Sequence, residues 1–171
     1  MEIITVGGKG LLPWLIKKLT RSDKSHVALR YSPPEDNWMI HSAIGGVQPE
    51  WWEFFKKKYT SISRFRCNFE CADKAADKLV TRIGDDDYDY LGLFGYAWYL
   101  FQTKILRINR MGNPWGSRDR HWCTDVIVDF FEICNELDPT LKLKKFENEM
   151  TTPEEIERYL LKCPHFTLVR D

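Results

Sequence analysis

A chain of 171 residues with 43% hydrophobic and 14% aromatic side chains carries enough apolar material for one well-packed domain and is short for two. Lys plus Arg and Asp plus Glu both number 25, so the formal net charge is zero. That balance excludes a duplex-binding protein, whose phosphate contacts need a basic excess.

The opening Met1-Glu2-Ile3-Ile4-Thr5-Val6 has no basic stretch ahead of an apolar one and reads as a strand, not a secretory signal. The longest apolar segment, Leu91 to Leu100, is broken by Gly92 and Gly95 and is too short to span a bilayer, so no transmembrane segment is expected. The cysteine count of 5 is odd, and without a signal a disulfide framework is not expected. Cys67 and Cys71 stand at C-x-x-x-C spacing with no second pair, which does not make a zinc knuckle. These features predict a soluble protein of the reducing cytoplasm with no metal and no cofactor. The seven Trp are expected to build core and groove, and the Lys56-Lys57-Lys58 run a solvated helix end.

Ile3 to Val6 predicts a first strand, closed by Gly7-Gly8-Lys9-Gly10. The glycines lack the phosphate-loop pattern and predict a tight turn. Leu12, Leu15, Ile16 and Leu19 then recur at helical spacing, with Pro13 in the first turn. Ser25 to Tyr31 and Trp38 to Ala43 predict a hairpin across the turn residues Ser32 to Asn37. Gly45-Gly46 breaks the second strand, Trp51 to Lys58 predicts a short helix, and Ile62 to Phe69 another strand. Helices are expected over Ala72 to Ile83 and Leu91 to Ile108, with a polar loop from Asn109 to Arg120. Thr124 to Leu137 is the clearest helix, with Ile127, Phe130, Phe131, Cys134 and Leu137 on one face. Thr152-Pro153-Glu154-Glu155 is a capping box with Pro at the first helical position. Its helix runs to about Lys162, and Phe166 to Val169 is a last strand. With no repeat and no linker, residues 1–171 form one expected domain of α+β class.

Cys123 stands just before the strongest helix. A thiol there meets the positive end of the helix and the free N–H groups of its first turn, which lower its pKa and can hold an oxyanion. A nucleophilic thiol needs a base in reach, and the chain offers His26, His41, His121 and His165. In the hairpin, a turn centred between Pro34 and Glu35 sets Tyr31 opposite Trp38 and Ala28 opposite His41. His26 then lies diagonal to His41 on one face, Cβ atoms about 7–8 Å apart or somewhat less. A register shift by one would send the two rings to opposite faces. One histidine can then act as base and the other orient it; His121, two residues before Cys123, stays a candidate.

Ser25-His26-Val27-Ala28-Leu29 followed by Ile40-His41-Ser42-Ala43-Ile44-Gly45-Gly46-Val47 resembles the histidine motif of the circularly permuted NlpC/P60 (papain-like) cysteine hydrolases. Tyr88-Asp89-Tyr90-Leu91-Gly92 resembles their intervening segment and Trp122-Cys123-Thr124-Asp125-Val126-Ile127 their cysteine motif. The order, histidine before cysteine, is the permuted one, and the resemblance spans nearly the whole chain. It implies a papain-like fold of the YiiX-like or lecithin:retinol acyltransferase-like branch. A helix bearing Cys123 would pack on a small antiparallel sheet bearing His26. It further implies a Cys123–His26–His41 triad, with Tyr88 near the substrate. Thr124 stands where the commoner motif has Ser.

The expected activity is thiol hydrolysis of an amide, in a peptide or peptidoglycan fragment, or of an acyl ester. Transfer of an acyl group to or from a lipid is an alternative. Two rivals come from other classes: a non-catalytic binding domain that keeps the fold, and a metal-dependent hydrolase using His26, His41, His121 and Cys123.

Overall fold

The computed structural model describes residues 1–31, 37–43, 46–81, 87–88, 120–121, 123–146 and 151–170. In chain order these form β1 (Glu2–Gly7), α1 (Leu11–Thr20), β2 (His26–Arg30), β3 (Trp38–Ala43), β4 (Gly46–Trp51), α2 (Trp52–Lys58) and β5 (Thr60–Cys67). There follow α3 (Ala72–Val80), β6 (Asp87–Tyr88), β7 (Arg120–His121), α4 (Asp125–Leu137), α5 (Pro153–Leu160) and β8 (Phe166–Val169). The class is α+β, as expected. Six strands make one antiparallel sheet in the order β4-β3-β2-β1-β5-β8, and β6 and β7 pair in parallel.

The central strands are covered on both faces, and strand alternation sorts their side chains between two cores. Ile3, Val27, Leu29, Ile40 and Phe65 face one way. They bury with Ala72, Ala75, Ala76 and Leu79 of α3, Ile127, Phe130, Phe131 and Cys134 of α4, and Ile156 and Leu160 of α5. Ile4, Val6, Ala28 and Met39 face the other way, onto Trp52 and Phe55 of α2. Full burial of such side chains contributes roughly 1.5–3 kcal/mol each. Leu137, expected on the apolar face of α4, is 38% exposed at the helix end.

On the α2 face the sheet also buries a charge. Glu2 accepts from Arg30 Nη1 and from Arg64 Nε and Nη2, each at 3.1 Å, so its two oxygens are matched by two guanidinium groups. The first turn is a plain tight turn, as expected. Gly10 takes φ 107° at the start of α1, and a Cβ on Gly7 would lie 2.5 Å from the Asp23 carbonyl oxygen. The Gly8 N–H is spent on Ser25 Oγ at 2.7 Å, which fixes the turn against the residue preceding β2.

β4 differs from the sequence expectation. Gly46 opens a full strand instead of ending one, with φ 91°, and the helix begins at Trp52. Pro49 argues against a strand in a sheet interior, but β4 is an edge strand, where a missing N–H costs no ladder bond. The segment 91–108 and most of the 109–120 loop lie outside the described residues. Among the described residues no helix is long and apolar enough to cross a membrane.

The capping box of α5 is complete: Glu155 N–H donates to Thr152 Oγ1 at 3.0 Å and Thr152 N–H to Glu155 Oε2 at 2.9 Å. Thr152→Ala is expected to lower the unfolding free energy by about 1 kcal/mol. Urea titration should show this as a lower midpoint at unchanged slope.

Candidate active site

The site is built on a register. Leu29 pairs with Ile40 and Arg30 with Met39, and Tyr31 N–H donates to the Trp38 carbonyl at 2.8 Å. Carried one step further, that register sets Ala28 opposite His41 and leaves His26 diagonal to it, as the hairpin parity predicts. The diagonal closes to contact: His26 Nε2 and His41 Nδ1 are 3.0 Å apart, with ring planes at 87°. The same step repeats into β4. His41 pairs with Gln48 and Met39 with Glu50, so Glu50 is diagonal to His41, and His41 Nε2 lies 3.4 Å from Glu50 Oε2. The other carboxylate oxygen, Oε1, takes the Lys58 ammonium. A line of four side chains thus crosses three strands and ends on α2.

Aromatic rings wall this line. Phe55 packs edge-on to His41 at 5.4 Å and against His26 at 6.1 Å. Tyr59 stacks on His26 at 5.1 Å with the planes 3° from parallel. His26 and His41 are 9% and 2% exposed. Burial, then the neighbouring His41, holds His26 well below the ordinary imidazole range. Burial pulls His41 down to about 4, with Glu50 opposing and Lys58 assisting. Both rings are therefore neutral at neutral pH.

Cys123 comes to the same end of β2 from the other face. It is half-buried and packs against the core of α3, α4 and α5, one residue before Thr124, whose carbonyl accepts from the Ile127 and Val128 amides at 3.0 Å. The backbone N–H groups of Val27, Cys123 and Thr124 favour its thiolate, and Val27 is the residue after His26. Burial nevertheless dominates and, with Asp125 adding to it, pushes the thiol up to about 12. The sequence expectation of a lowered thiol pKa is not what the resting structure has, because desolvation outweighs the three amides. The Tyr59 ring covers His26, and burial first, then Cys123 and Glu50, raise its phenol.

The other candidates fall elsewhere. His165 precedes β8, at the far side of the strand order, with its ring 6.4 Å from Phe69. Cys71 Sγ lies 3.9 Å from the Cys134 carbonyl, and burial pushes the Cys67 thiol up to about 12. These belong to the core between α3 and α4. The backbone of Tyr88 pairs with that of His121; both side chains, and Trp122, lie outside the described residues. Among the described residues no three His, Cys, Asp or Glu side chains are grouped to hold a metal ion. The sequence reading misses Glu50 and Tyr59. Extending the strand parity one hairpin further would have found Glu50, but the sequence reading ends the second strand at Gly45-Gly46 and places no strand before Trp51.

No family model matches the chain, and no curated protein matches it. Among solved structures the chain is similar to the metalloprotein yiiX from Escherichia coli O157:H7, with a TM-score of 0.62 and 14% sequence identity. The match covers 99% of this chain and 95% of that one. At that identity the likeness speaks for the fold.

Since the histidines are neutral when folded and titrate near 6.5 when unfolded, the unfolded chain binds more protons below that pH. Stability is then complete above about pH 6.5 and falls as pH drops toward 4, by up to about 1.4 kcal/mol per pH unit for each histidine. Equilibrium unfolding between pH 7 and 4 is expected to show this slope, and His41→Gln to flatten it relative to the parent.

Proposed function

We propose that this chain is a cysteine hydrolase of the permuted NlpC/P60 (papain-like) kind, with Cys123 as nucleophile, His26 as base and His41 as the residue that orients the base. What supports the reading is that both candidates stand near the start of β2: His26 is held by His41 through Nε2 at 3.0 Å, and the amide of the next residue, Val27, favours the Cys123 thiolate. With Nε2 occupied, the ring nitrogen of His26 left to take a proton is Nδ1.

The substrate is an amide, as in a peptide or peptidoglycan fragment, or an acyl ester. The Cys123 sulfur bonds to the carbonyl carbon as its proton passes to His26 Nδ1. The carbonyl oxygen becomes an oxyanion facing the N–H groups of the helix start. The tetrahedral intermediate collapses, the C–N or C–O bond breaks, and the amine or alcohol leaves with the proton from His26. Water, deprotonated by His26, then cleaves the thioester and restores the thiol; an alcohol or amine in place of water gives transfer. A neutral thiol beside a neutral imidazole makes proton transfer part of the attack and not a preceding ionisation.

The name of yiiX as a metalloprotein favours a second reading, metal-dependent hydrolysis through His26, His41, His121 and Cys123. The histidine pair fits it poorly. His26 Nε2 and His41 Nδ1 face each other at 3.0 Å, and nitrogens joined by a shared proton do not jointly ligate an ion. Full activity in chelator and a metal-free protein by elemental analysis separate the thiol reading from this one. An acyl-fluoride or vinyl-sulfone probe is expected to label Cys123 selectively. Cys123→Ser should abolish labelling and His26→Ala slow it by about 10²–10⁴-fold. Equal labelling of Cys67 or Cys71 would remove the assignment.

A further inference from the structure

Beyond the three side chains of the proposed triad, the structure holds a carboxylate, Glu50, in line with the two histidines. We infer that Glu50 is a positioning residue that fixes the tautomer of both histidines and so makes Nδ1 of His26 the basic atom. The inference rests on the thiol-hydrolase reading only for its catalytic consequence; the tautomers are a property of the resting protein.

The argument runs from the charged end. Glu50 binds the Lys58 ammonium through Oε1. Its second oxygen, Oε2, is buried and has no hydrogen-bond partner elsewhere, and the same is true of His41 Nε2; the two face each other at 3.4 Å. That separation is long for a settled hydrogen bond, but each atom is the other's polar neighbour. A lone pair on His41 Nε2 would point at a carboxylate in a desolvated site, which costs both desolvation and repulsion. A proton on Nε2 turns the same geometry into a charge-assisted attraction.

The rest follows from valence. A neutral imidazole carries one N–H. With the proton of His41 on Nε2, its Nδ1 is an acceptor. His26 Nε2, 3.0 Å away, must then be the donor, and the remaining lone pair of His26 is on Nδ1. The reverse chain, with Nδ1–H on both rings, would leave His26 with no acceptor for the thiol proton. Burial sharpens the choice, since both rings stay neutral and a doubly protonated ring, indifferent to tautomer, is not populated at neutral pH. Once His26 accepts a proton, the carboxylate two rings away is the nearest counter-charge along the line.

The test separates tautomer from catalysis. In protein labelled with ¹⁵N-histidine, ring-nitrogen NMR at pH 7 is expected to show His26 and His41 protonated at Nε2. Glu50→Leu, which keeps bulk and removes the acceptor, is expected to convert both to tautomer mixtures. Glu50→Gln can still accept through its amide oxygen and is expected to hold the parent pattern. Both variants lose the Lys58 ion pair, so a merely structural role would move them together. With an acyl probe, Glu50→Leu should slow Cys123 acylation roughly tenfold or more at unchanged half-saturation, and Glu50→Gln should recover most of that loss. Nδ1 protonation of either ring in the parent overturns the inference, as does a Glu50→Leu protein with parent spectra. A parent whose Cys123 resists acyl probes while its rings stay Nε2-protonated sinks the hydrolase reading and leaves the tautomer assignment standing.

Discussion

The pairing register of β2 with β3 is the constraint on which the site depends. A slip of one residue would place His26 and His41 on opposite faces and dissolve the 3.0 Å contact between them. The register is held from both sides. Leu29 and Ile40 are buried against the helices of one core, Ala28 and Met39 against α2 in the other, and the Tyr31–Trp38 hydrogen bond closes the turn end. Any slip would exchange these sets and push Ala28 and Met39 into space shaped for Leu29 and Ile40. The hairpin therefore borrows its precision from hydrophobic burial on two faces, and the imidazole line inherits that precision without needing strong interactions of its own.

Burial that fixes the geometry also sets the electrostatics. Where this sheet buries a full charge it supplies partners, as with Glu2 between Arg30 and Arg64. Where it buries the histidines it keeps them neutral instead, one well below its ordinary range and the other near 4. The thiol obeys the same rule in the opposite direction, held protonated at about 12. A resting thiolate–imidazolium pair is thus disfavoured from both ends. Under the hydrolase reading, charge separation is created only as the sulfur bonds to a carbonyl, when the oxyanion gathers the amides of the helix start and His26 gathers the line that ends at Glu50.

Much of the fold was legible in the sequence because local signals agreed with tertiary demands. β1, the β2–β3 hairpin, α4, the capped α5 and β8 all stand where periodicity and turn chemistry put them, within a residue or two. The hairpin parity even predicted which face the histidines share. β4 was hidden because Gly45-Gly46 reads in sequence as the end of a strand, whereas Gly46 opens the next one, an edge strand that tolerates Pro49. Losing β4 meant losing Glu50, since its role is visible only through the diagonal from Met39's partner position to His41. Tyr59 was invisible for a different reason. It follows α2 by one residue and reaches His26 only because α2 folds back across the sheet. The helix-start argument for Cys123 placed the residue correctly and misjudged its acidity, because a helix terminus seen in sequence carries no measure of desolvation.

The polar line bears on the choice between a working site and an idle scaffold. Two imidazoles and a carboxylate set among Phe55, Tyr59 and Trp52 cost desolvation, and apolar side chains of similar volume in such places are often neutral or stabilising. A domain that only had to keep its shape would gain by packing this space with hydrocarbon, as it does a few ångströms away with Ile4, Val6 and Met39. The likeness to yiiX does not decide the matter, because a fold hosts many functions and some that are none. What favours chemistry is that the stability cost is concentrated at the end of the sheet, where a helix from the opposite face delivers a sulfur to the amide of Val27. Two neutral rings in line with a carboxylate, buried at one end of the sheet, stand where packing alone would not put them.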